Sequence, residues 1–386
     1  MAGHSENSKR AGKHKDRKER FKHKKAPGKM KQVEERVAEV QARYSSLDPK
    51  TVRLFSDLPL SPETLQGLQE AEFTEPTEIQ RESIGLALQG RDILGAAKTG
   101  SGKTLAFLVP ILERLWGARW GRGDGAGALV ITPTRELAYQ IFESLRLLGK
   151  HHDFSAGLVI GGKDLKFEWS RVADCNILIC TPGRLLQHLD QNPSFSVDSL
   201  QMLVLDEADR CLDLGFSSAL DSILAALPRE RQTLLYSATQ TRSITALARL
   251  SLTSPVLVSV HEHAAAATPD SLRQSYIVTE AEHKLNILWS FVKAHRRKKI
   301  VVFLASCKQT KYYHEVFQRL KPGVSVSALY GSLHQLRRMA VYDQFCAKQH
   351  AVLFATDIAA RGLDFPNVDW VLQLDCPEDA TTYTHR

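Results

Sequence analysis

Ala97-Lys98-Thr99-Gly100-Ser101-Gly102-Lys103-Thr104 follows the short apolar run Ile93-Leu94-Gly95-Ala96 and precedes Leu105-Ala106-Phe107-Leu108-Val109. A strand, a glycine-rich turn and a helix N-terminus in that order make a phosphate cradle, because backbone N–H groups point into the turn and the helix dipole favours negative charge there. Gly100 and Gly102 let the backbone approach phosphate without a Cβ clash. Lys103 can reach the β- and γ-phosphates, and the Thr104 hydroxyl can ligate Mg²⁺. Residues 97–104 therefore predict a nucleoside-triphosphate site. The strict pattern has Gly where Ala97 stands, a mild departure, since the first position shapes the turn and does not touch phosphate.

Around this stretch, apolar β-rich runs lie at 92–96, 128–132, 156–160, 176–180, 202–205, 232–236 and 256–260, with helical periodicity between them. That alternation predicts an open parallel α/β sheet. Residues 261–271, rich in His, Ala, Thr and Pro, are predicted as a linker. A second set of runs follows at 273–278, 300–304, 324–329, 351–355 and 369–374. The expected organisation is thus a disordered tail at 1–30, a short amphipathic helix and linker at 31–52, an α/β domain at 53–260, the linker, and a partial α/β domain at 272–386. In the helix, Val33, Val37, Val40 and Tyr44 share one face. In such sheets ligands bind beyond the carboxyl ends of the strands.

The chain has 386 residues, enough for two ordinary domains, with 51 Lys/Arg against 43 Asp/Glu. Residues 1–30 hold 11 Lys/Arg and 3 Asp/Glu, so the whole excess sits in the tail and the remainder is balanced. A basic arm with few large apolar side chains cannot fold alone; it attracts polyanions and suits nuclear import. Cys175, Cys180, Cys211, Cys307, Cys346 and Cys376 form no CxxC pair and no zinc spacing, which fits reduced intracellular thiols. With no apolar run of about 18 residues, no membrane span is expected.

The run Met202-Leu203-Val204-Leu205 leads into Asp206-Glu207-Ala208-Asp209. A buried strand ending in two acids, paired with a phosphate loop, fits metal-assisted hydrolysis: Asp206 to hold Mg²⁺, Glu207 to orient and deprotonate water.

Asp206-Glu207-Ala208-Asp209 resembles the name-giving motif of the DEAD-box RNA helicases, and further stretches resemble the rest of their set in order. Residues 97–104 are similar to motif I, Pro133-Thr134-Arg135-Glu136-Leu137-Ala138 to motif Ia, Gly161-Gly162 to the double-glycine motif and Thr181-Pro182-Gly183-Arg184 to motif Ib. Ser237-Ala238-Thr239 resembles motif III, the stretch from Gln335 to Arg338 the QxxR element, and residues 355–364 motif V. The resemblance covers about 53–386 and implies two RecA-like domains in tandem, ATP and Mg²⁺ as cofactors, and an ATP-dependent RNA helicase.

Phe73-Thr74-Glu75-Pro76-Thr77-Glu78-Ile79-Gln80 resembles the Q motif, with Glu72 where the family usually has Gly. The Gln80 amide offers a donor and an acceptor, which match the adenine N6/N7 edge and favour ATP over GTP. By resemblance Phe55 packs on the base, Ser237 and Thr239 link the nucleotide site to domain closure, and Asp364 touches the ribose from the second domain. Outside that resemblance, Gln80 reads as an exposed helix residue and Phe55 as core.

RNA contacts are implied at Pro133, Thr134, Arg135, Gly162, Thr181, Gly183 and Arg184 in the first domain, with Arg338 and Thr356 in the second. Helix-start amides, hydroxyls and a few arginines hold phosphates and sugars without reading bases.

Tyr383-Thr384-His385-Arg386 resembles the beginning of motif VI, and the sequence stops after its second residue. A fragment and a short isoform are both consistent with this, and RNA-stimulated hydrolysis is expected to fall below that of a chain extended through the motif. Residues 55–61, 67–71, 157–165 and the lysine-rich tail look most similar to the nucleolar branch that acts in small-subunit ribosome assembly. That implies a nuclear, nucleolar protein with a monomeric core, acting on pre-ribosomal RNA and small nucleolar RNA beside ribosome-assembly proteins. The competing expectation is a truncated ATP- and RNA-binding form with little turnover; RNA against DNA stimulation separates both from a DNA-acting enzyme.

Overall fold

Seven of the apolar runs form strands: β1 (Ile93–Ala96), β2 (Ala128–Ile131), β3 (Ala156–Val159), β4 (Ile177–Cys180), β5 (Met202–Leu205), β6 (Gln232–Ser237) and β7 (Val256–Ser259). Each lies within a residue of its expected bounds. The computed structural model describes residues 27–97, 100–162, 165–239, 241–260, 272–357, 363, 365–379, 382, 383 and 386. The basic tail as far as residue 26, the predicted linker at 261–271, and the site candidates Lys98, Thr99 and Asp364 lie outside the described residues.

The chain divides into two units at 261/262. In the first, the seven strands make one parallel sheet in the order β3-β4-β2-β5-β6-β1-β7. Its central strands are buried on both sides, so their side chains alternate between two cores. Val130, Ile179 and Val204 pack on one face with Phe107, Leu108 and Ile111 of the helix Lys103–Gly117. Leu129, Leu178 and Leu203 pack on the other with Leu185, Ile223 and Ile244.

Before this sheet, the helix Pro27–Ala42 begins inside the last residues expected of the tail, and it turns Val37 inward while Val33 stays exposed. Tyr44 is buried after it and donates to Glu113 Oε2 at 3.1 Å. Glu113 also accepts from Ser61 Oγ and Thr64 Oγ1, both at 2.6 Å, so the leading segment is fastened to the phosphate-loop helix at its far end.

The second unit holds a four-stranded parallel sheet of β8 (Lys299–Leu304), β9 (Ser325–Leu329), β10 (Ala351–Thr356) and β11 (Trp370–Gln373), in the order β11-β8-β10-β9. The expectation of a further strand at 273–278 is corrected. That segment pairs with no strand among the described residues, and Tyr276 and Val278 are 89% and 88% exposed. β-propensity describes fit to a pleated neighbour, so without one Tyr, Ile and Val do not make a strand.

Sheet order fixes what meets at the carboxyl rim. Ala96 is in register with Ser237 across β1 and β6, and Leu205 with Leu235 across β5 and β6. Backbone bonds continue past the strands: Ala97 N donates to Ser237 O at 3.1 Å, Asp206 N to Ile131 O at 2.9 Å, and Thr181 N to Val159 O at 3.1 Å. One half of the rim thus gathers the phosphate loop, the acids and residues 237–239. The other half gathers the stretches after β2, β3 and β4.

Candidate nucleotide site and nucleic-acid interface

The loop after β1 turns into its helix through two left-handed glycines, Gly100 at φ 80° and Gly102 at φ 89°. Gly102 is required twice over, since a Cβ there would stand 2.5 Å from Gln80 Nε2 and 2.9 Å from Thr77 Oγ1. Ala97 is buried beneath the loop, and Ser101 Oγ is buried with no hydrogen-bond partner among the described residues.

Lys103 is 6% exposed, and its Nζ donates to Ala97 O at 3.1 Å and to Glu207 Oε1 at 2.8 Å. Burial alone would lower its pKa, but the charges of Glu207, Asp206 and Asp209 together hold it above the usual lysine range. The lysine assigned to phosphates by the sequence is therefore paired with the carboxylate assigned to water. Glu207 itself sits at φ 48°, a left-handed conformation that costs a non-glycine residue on the order of 1–3 kcal/mol and aims both acids into one space.

Asp206 is buried, and burial pushes its carboxyl up to about 7; Lys103 opposes this, while Glu207 and Asp209 reinforce it. Its Oδ1 has no hydrogen-bond partner among the described residues. A buried carboxylate oxygen left over in this way fits a hard cation. Among the described residues no three His, Cys, Asp or Glu side chains converge as a metal cage. A hard cation such as Mg²⁺, which keeps waters and substrate phosphates as most of its ligands, is compatible with so few protein donors. Asp206 and Thr104 would hold it.

Asp209, which the sequence reading did not place in the site, accepts from Thr239 N at 3.0 Å and from Thr239 Oγ1 at 2.9 Å. Ser237 Oγ donates to Thr239 O at 2.7 Å, closing a ring of contacts between the acid-bearing turn and the end of β6. Its signal was present in the sequence as the fourth letter of Asp-Glu-Ala-Asp, three residues beyond Asp206.

Two residues expected at the adenine site are engaged within the protein in this structure. Gln80 is buried with both ends of its amide engaged: Oε1 accepts from Thr77 N at 2.8 Å and Nε2 donates to Gly102 O at 2.8 Å. It acts in this structure as a strut between its helix start and the phosphate loop. Phe55 is 3% exposed in the first core, beside Leu58 and Leu68, so it presents no open ring face. Its backbone N–H donates to Thr74 O at 2.9 Å. Phe73, by contrast, is an exposed aromatic.

On the other half of the rim, Thr134 Oγ1 accepts from Leu137 N at 3.3 Å and caps the helix Arg135–Leu148. The Arg135 guanidinium lies across the double glycine, since a Cβ on Gly161 would be 3.0 Å from its Nη2. Gly162 has φ 107°. Pro133 is buried, while Gly183 is open at the start of the helix Pro182–Gln191 behind Thr181.

Arg184 is engaged inside the first unit. It is buried, and its Nε and Nη2 donate to Glu168 Oε2 at 3.0 and 2.8 Å, with His188 Nε2 3.3 Å from the same oxygen. The carboxylate, held low by the His188 and Arg184 contacts against its burial, claims the guanidinium that was expected to grip phosphate. Arg184 clasps two helices behind the rim.

In the second unit, Thr356 ends β10 with Oγ1 buried and without a hydrogen-bond partner among the described residues, and Arg338 is half-buried on the helix Gln335–Ala347. Arg386 is bidentate to Asp357, with Nε to Oδ1 at 2.6 Å and Nη2 to Oδ2 at 2.8 Å.

A phosphate loop facing a strand that ends in paired acids, on a RecA-like parallel sheet followed by a second parallel α/β unit, defines a tandem-domain P-loop nucleotide-binding protein. The family described as DEAD/DEAH box helicase matches residues 77–247, and helicase conserved C-terminal domain matches 283–386. The chain belongs to the DEAD-box helicase family. It is 60% identical over 356 residues to the human "Probable ATP-dependent RNA helicase DDX10", covering 92% of this chain and 41% of that protein. It is 56% identical over 359 residues to the Aspergillus niger "ATP-dependent RNA helicase dbp4", covering 93% and 45%. The chain thus spans about two fifths of the length of these relatives. Among solved structures it is similar to S. cerevisiae Dbp5 bound to RNA and ADP BeF3, with a TM-score of 0.76 at 26% identity over 87% of this chain and 85% of that one. It is likewise similar to Mss116p bound to ssRNA and AMP-PNP, with a TM-score of 0.77 at 26% identity over 85% and 69%.

Proposed function

We propose that this chain is the catalytic part of an ATP-dependent RNA helicase that uses ATP and Mg²⁺ to remodel RNA duplexes or RNA–protein complexes. The observation that carries the reading is the buried set of Lys103, Asp206, Glu207 and Asp209, joined through Thr239 to the end of β6. In this scheme the Lys103 ammonium moves from Glu207 to the phosphates, and the Glu207 carboxylate it leaves can accept a proton from water. Asp206 and the Thr104 hydroxyl would hold Mg²⁺, which would supply charge neutralisation at the transferring phosphoryl group. Asp209 transmits the position of the acids to Thr239 and Ser237. Thr134, Arg135, Gly162, Thr181 and Gly183, and separately Arg338 and Thr356, supply RNA contacts that recognise backbone and not bases.

The relatives sharing 56–60% identity are named as ATP-dependent RNA helicases, which supports the RNA-helicase reading; the basic tail and the resemblance of the stretches at 55–61, 67–71 and 157–165 to the nucleolar branch support a nucleolar role on pre-ribosomal RNA among ribosome-assembly factors. The test is ATP hydrolysis by this chain with RNA, with DNA and with neither. Stimulation by RNA alone supports the reading; equal stimulation by DNA, or hydrolysis indifferent to both, overturns it. Crosslinking the tagged chain in cells and sequencing the bound RNA tests the pre-ribosomal assignment separately.

A further inference from the structure

The second unit carries a charged groove that none of the motifs uses. Ahead of β8 the chain reads His295-Arg296-Arg297-Lys298-Lys299, and ahead of β10 it reads Lys348-Gln349-His350. Lys299 is in register with Ala351 across these parallel strands, so both runs meet at the end of the sheet where the strands begin. There Arg297, Lys298, Lys348 and His350 line a groove of about 410 Å³ whose single carboxylate among the described residues is Asp369. Asp369 is occupied by Lys298 Nζ at 2.7 Å and the Lys299 N–H at 2.8 Å.

A run of exposed cations is ordinarily a solvated face, and here three observations point further. The cations surround a concavity. Among the described residues neither Arg296 nor Arg297 has an ion-pair partner, although the chain beyond residue 30 is balanced in charge as a whole. The third is at the helix end that closes the groove, Gln335–Ala347, whose last carbonyls would repel an anion. Buried Lys299 places its Nζ 3.0 Å from Cys346 O, and Lys348 anchors to Ser325 Oγ at 2.6 Å, which reverses the local sign.

We propose that this groove binds the phosphodiester backbone of an RNA segment lying outside the stretch held by the motif residues. The ligand class rests on the RNA reading above. Thr356 and Ala351 stand at opposite ends of β10, and Arg338 and Ala347 near opposite ends of one helix, so the groove lies roughly 14–17 Å from the motif residues of its own unit. A short single strand held by Thr356 and Arg338 does not reach it. A longer strand or a duplex arm does, and because it is already tethered it meets these cations at an effective concentration in the millimolar range.

The experiment compares the full chain with an Arg297→Gln, Lys298→Gln, Lys348→Gln variant, by fluorescence anisotropy across a salt series. The probes are single-stranded RNAs of about 6 and about 20 nucleotides. On the long RNA the variant is expected to show a slope of log K against log salt shallower by about 2, from about 0.7 for each phosphate no longer neutralised, while the short RNA and a fluorescent ATP analogue bind unchanged. An unchanged slope on the long RNA, or an equal loss on both lengths, overturns the proposal. If the triple variant shows no cooperative melting, Arg297→Glu alone is put through the same comparison with the same two outcomes. Polyglutamate is the competing probe: groove-dependent binding of it with no groove-dependent slope on long RNA would assign the surface to an acidic protein segment and sink the RNA reading. Failure of the short RNA to bind wild-type chain counts against the motif face alone, because the long-RNA slope still reports the groove.

Discussion

Lys103 and Glu207, 104 positions apart in sequence, meet as a buried ion pair at 2.8 Å across the mouth of the phosphate loop. Each therefore restrains the other, and their substitutions should separate. Lys103→Ala removes the cation assigned to the β- and γ-phosphates and should greatly weaken binding of a fluorescent ATP analogue. Glu207→Gln should leave that binding intact or tighter, because Lys103 is released, while single-turnover hydrolysis falls about 10²–10⁴-fold with the loss of the base. Matching losses of nucleotide affinity in both variants would refute the division of roles.

Glu168 collects Arg184 and His188 on one oxygen inside the first unit. Glu168→Ala leaves the guanidinium buried without that carboxylate, and removal of one partner of a buried pair costs about 3–5 kcal/mol. Thermal melting should move down by roughly 10 °C for a unit of this size. The double change Glu168→Gln, Arg184→Gln should recover most of it, since no charge is then stranded. If the double variant melts below both single ones, the clasp is held by shape and not by charge.

What was legible in the sequence follows from how local each signal is. The seven strands of the first sheet were readable because each is a short apolar run, which the sheet buries on both faces at its centre, and the phosphate loop because its glycines and lysine must be contiguous. The segment 273–278 has strand composition, and its state depends on a neighbour that composition does not specify. Arg184 and Phe55 show the same limit at the site. An arginine beside Thr181 and a phenylalanine ahead of the Q-like stretch have the right types and spacing, but Glu168 and the core around Leu58 decide where they point. Gln80 needed knowledge of both Thr77 and Gly102, which come together only when the loop is folded.

His152 supplies a pH dependence. Burial holds its imidazole near 4, with Glu63 opposing and His151 reinforcing, and its Nε2 lies 2.9 Å from Thr64 Oγ1. An unfolded histidine titrates near 6.5, so above that value the native ring contributes in full. As pH falls from 6.5 towards 4 the unfolded chain takes up a proton that the native chain does not, and stability drops by about 1.4 kcal/mol per pH unit. Glu113, whose carboxyl burial raises despite the Ser61 and Thr64 hydroxyls, has the opposite sign: its contribution is complete below the usual carboxylate range and is lost as pH rises through its native value. Subtracting a His152→Gln variant isolates the histidine. Urea unfolding at pH 7 and pH 5 should show the wild-type chain losing about 2 kcal/mol more than the variant; equal losses would remove His152 from the titration.

Gly102 and Gln80 make a second separable pair. Alanine at 102 must adopt φ 89°, which costs an L-residue about 1–2 kcal/mol, and must also push against Gln80 Nε2 at 2.5 Å. The strut from Gln80 to Gly102 O is then displaced, and the amides of the loop lose their common aim. Gly102→Ala should weaken binding of the ATP analogue at least about 10-fold, a 1.4 kcal/mol effect. Adding Gln80→Ala removes the steric conflict but neither the backbone strain nor the contact with Thr77 Oγ1. Across the four chains of a double-mutant cycle, Gln80→Ala should therefore destabilise the wild-type background and cost less, or even stabilise, in the Gly102→Ala background, while nucleotide affinity stays low in both. Strictly additive melting temperatures would show that the two residues do not press on one another, and that the glycine is needed for its backbone conformation alone.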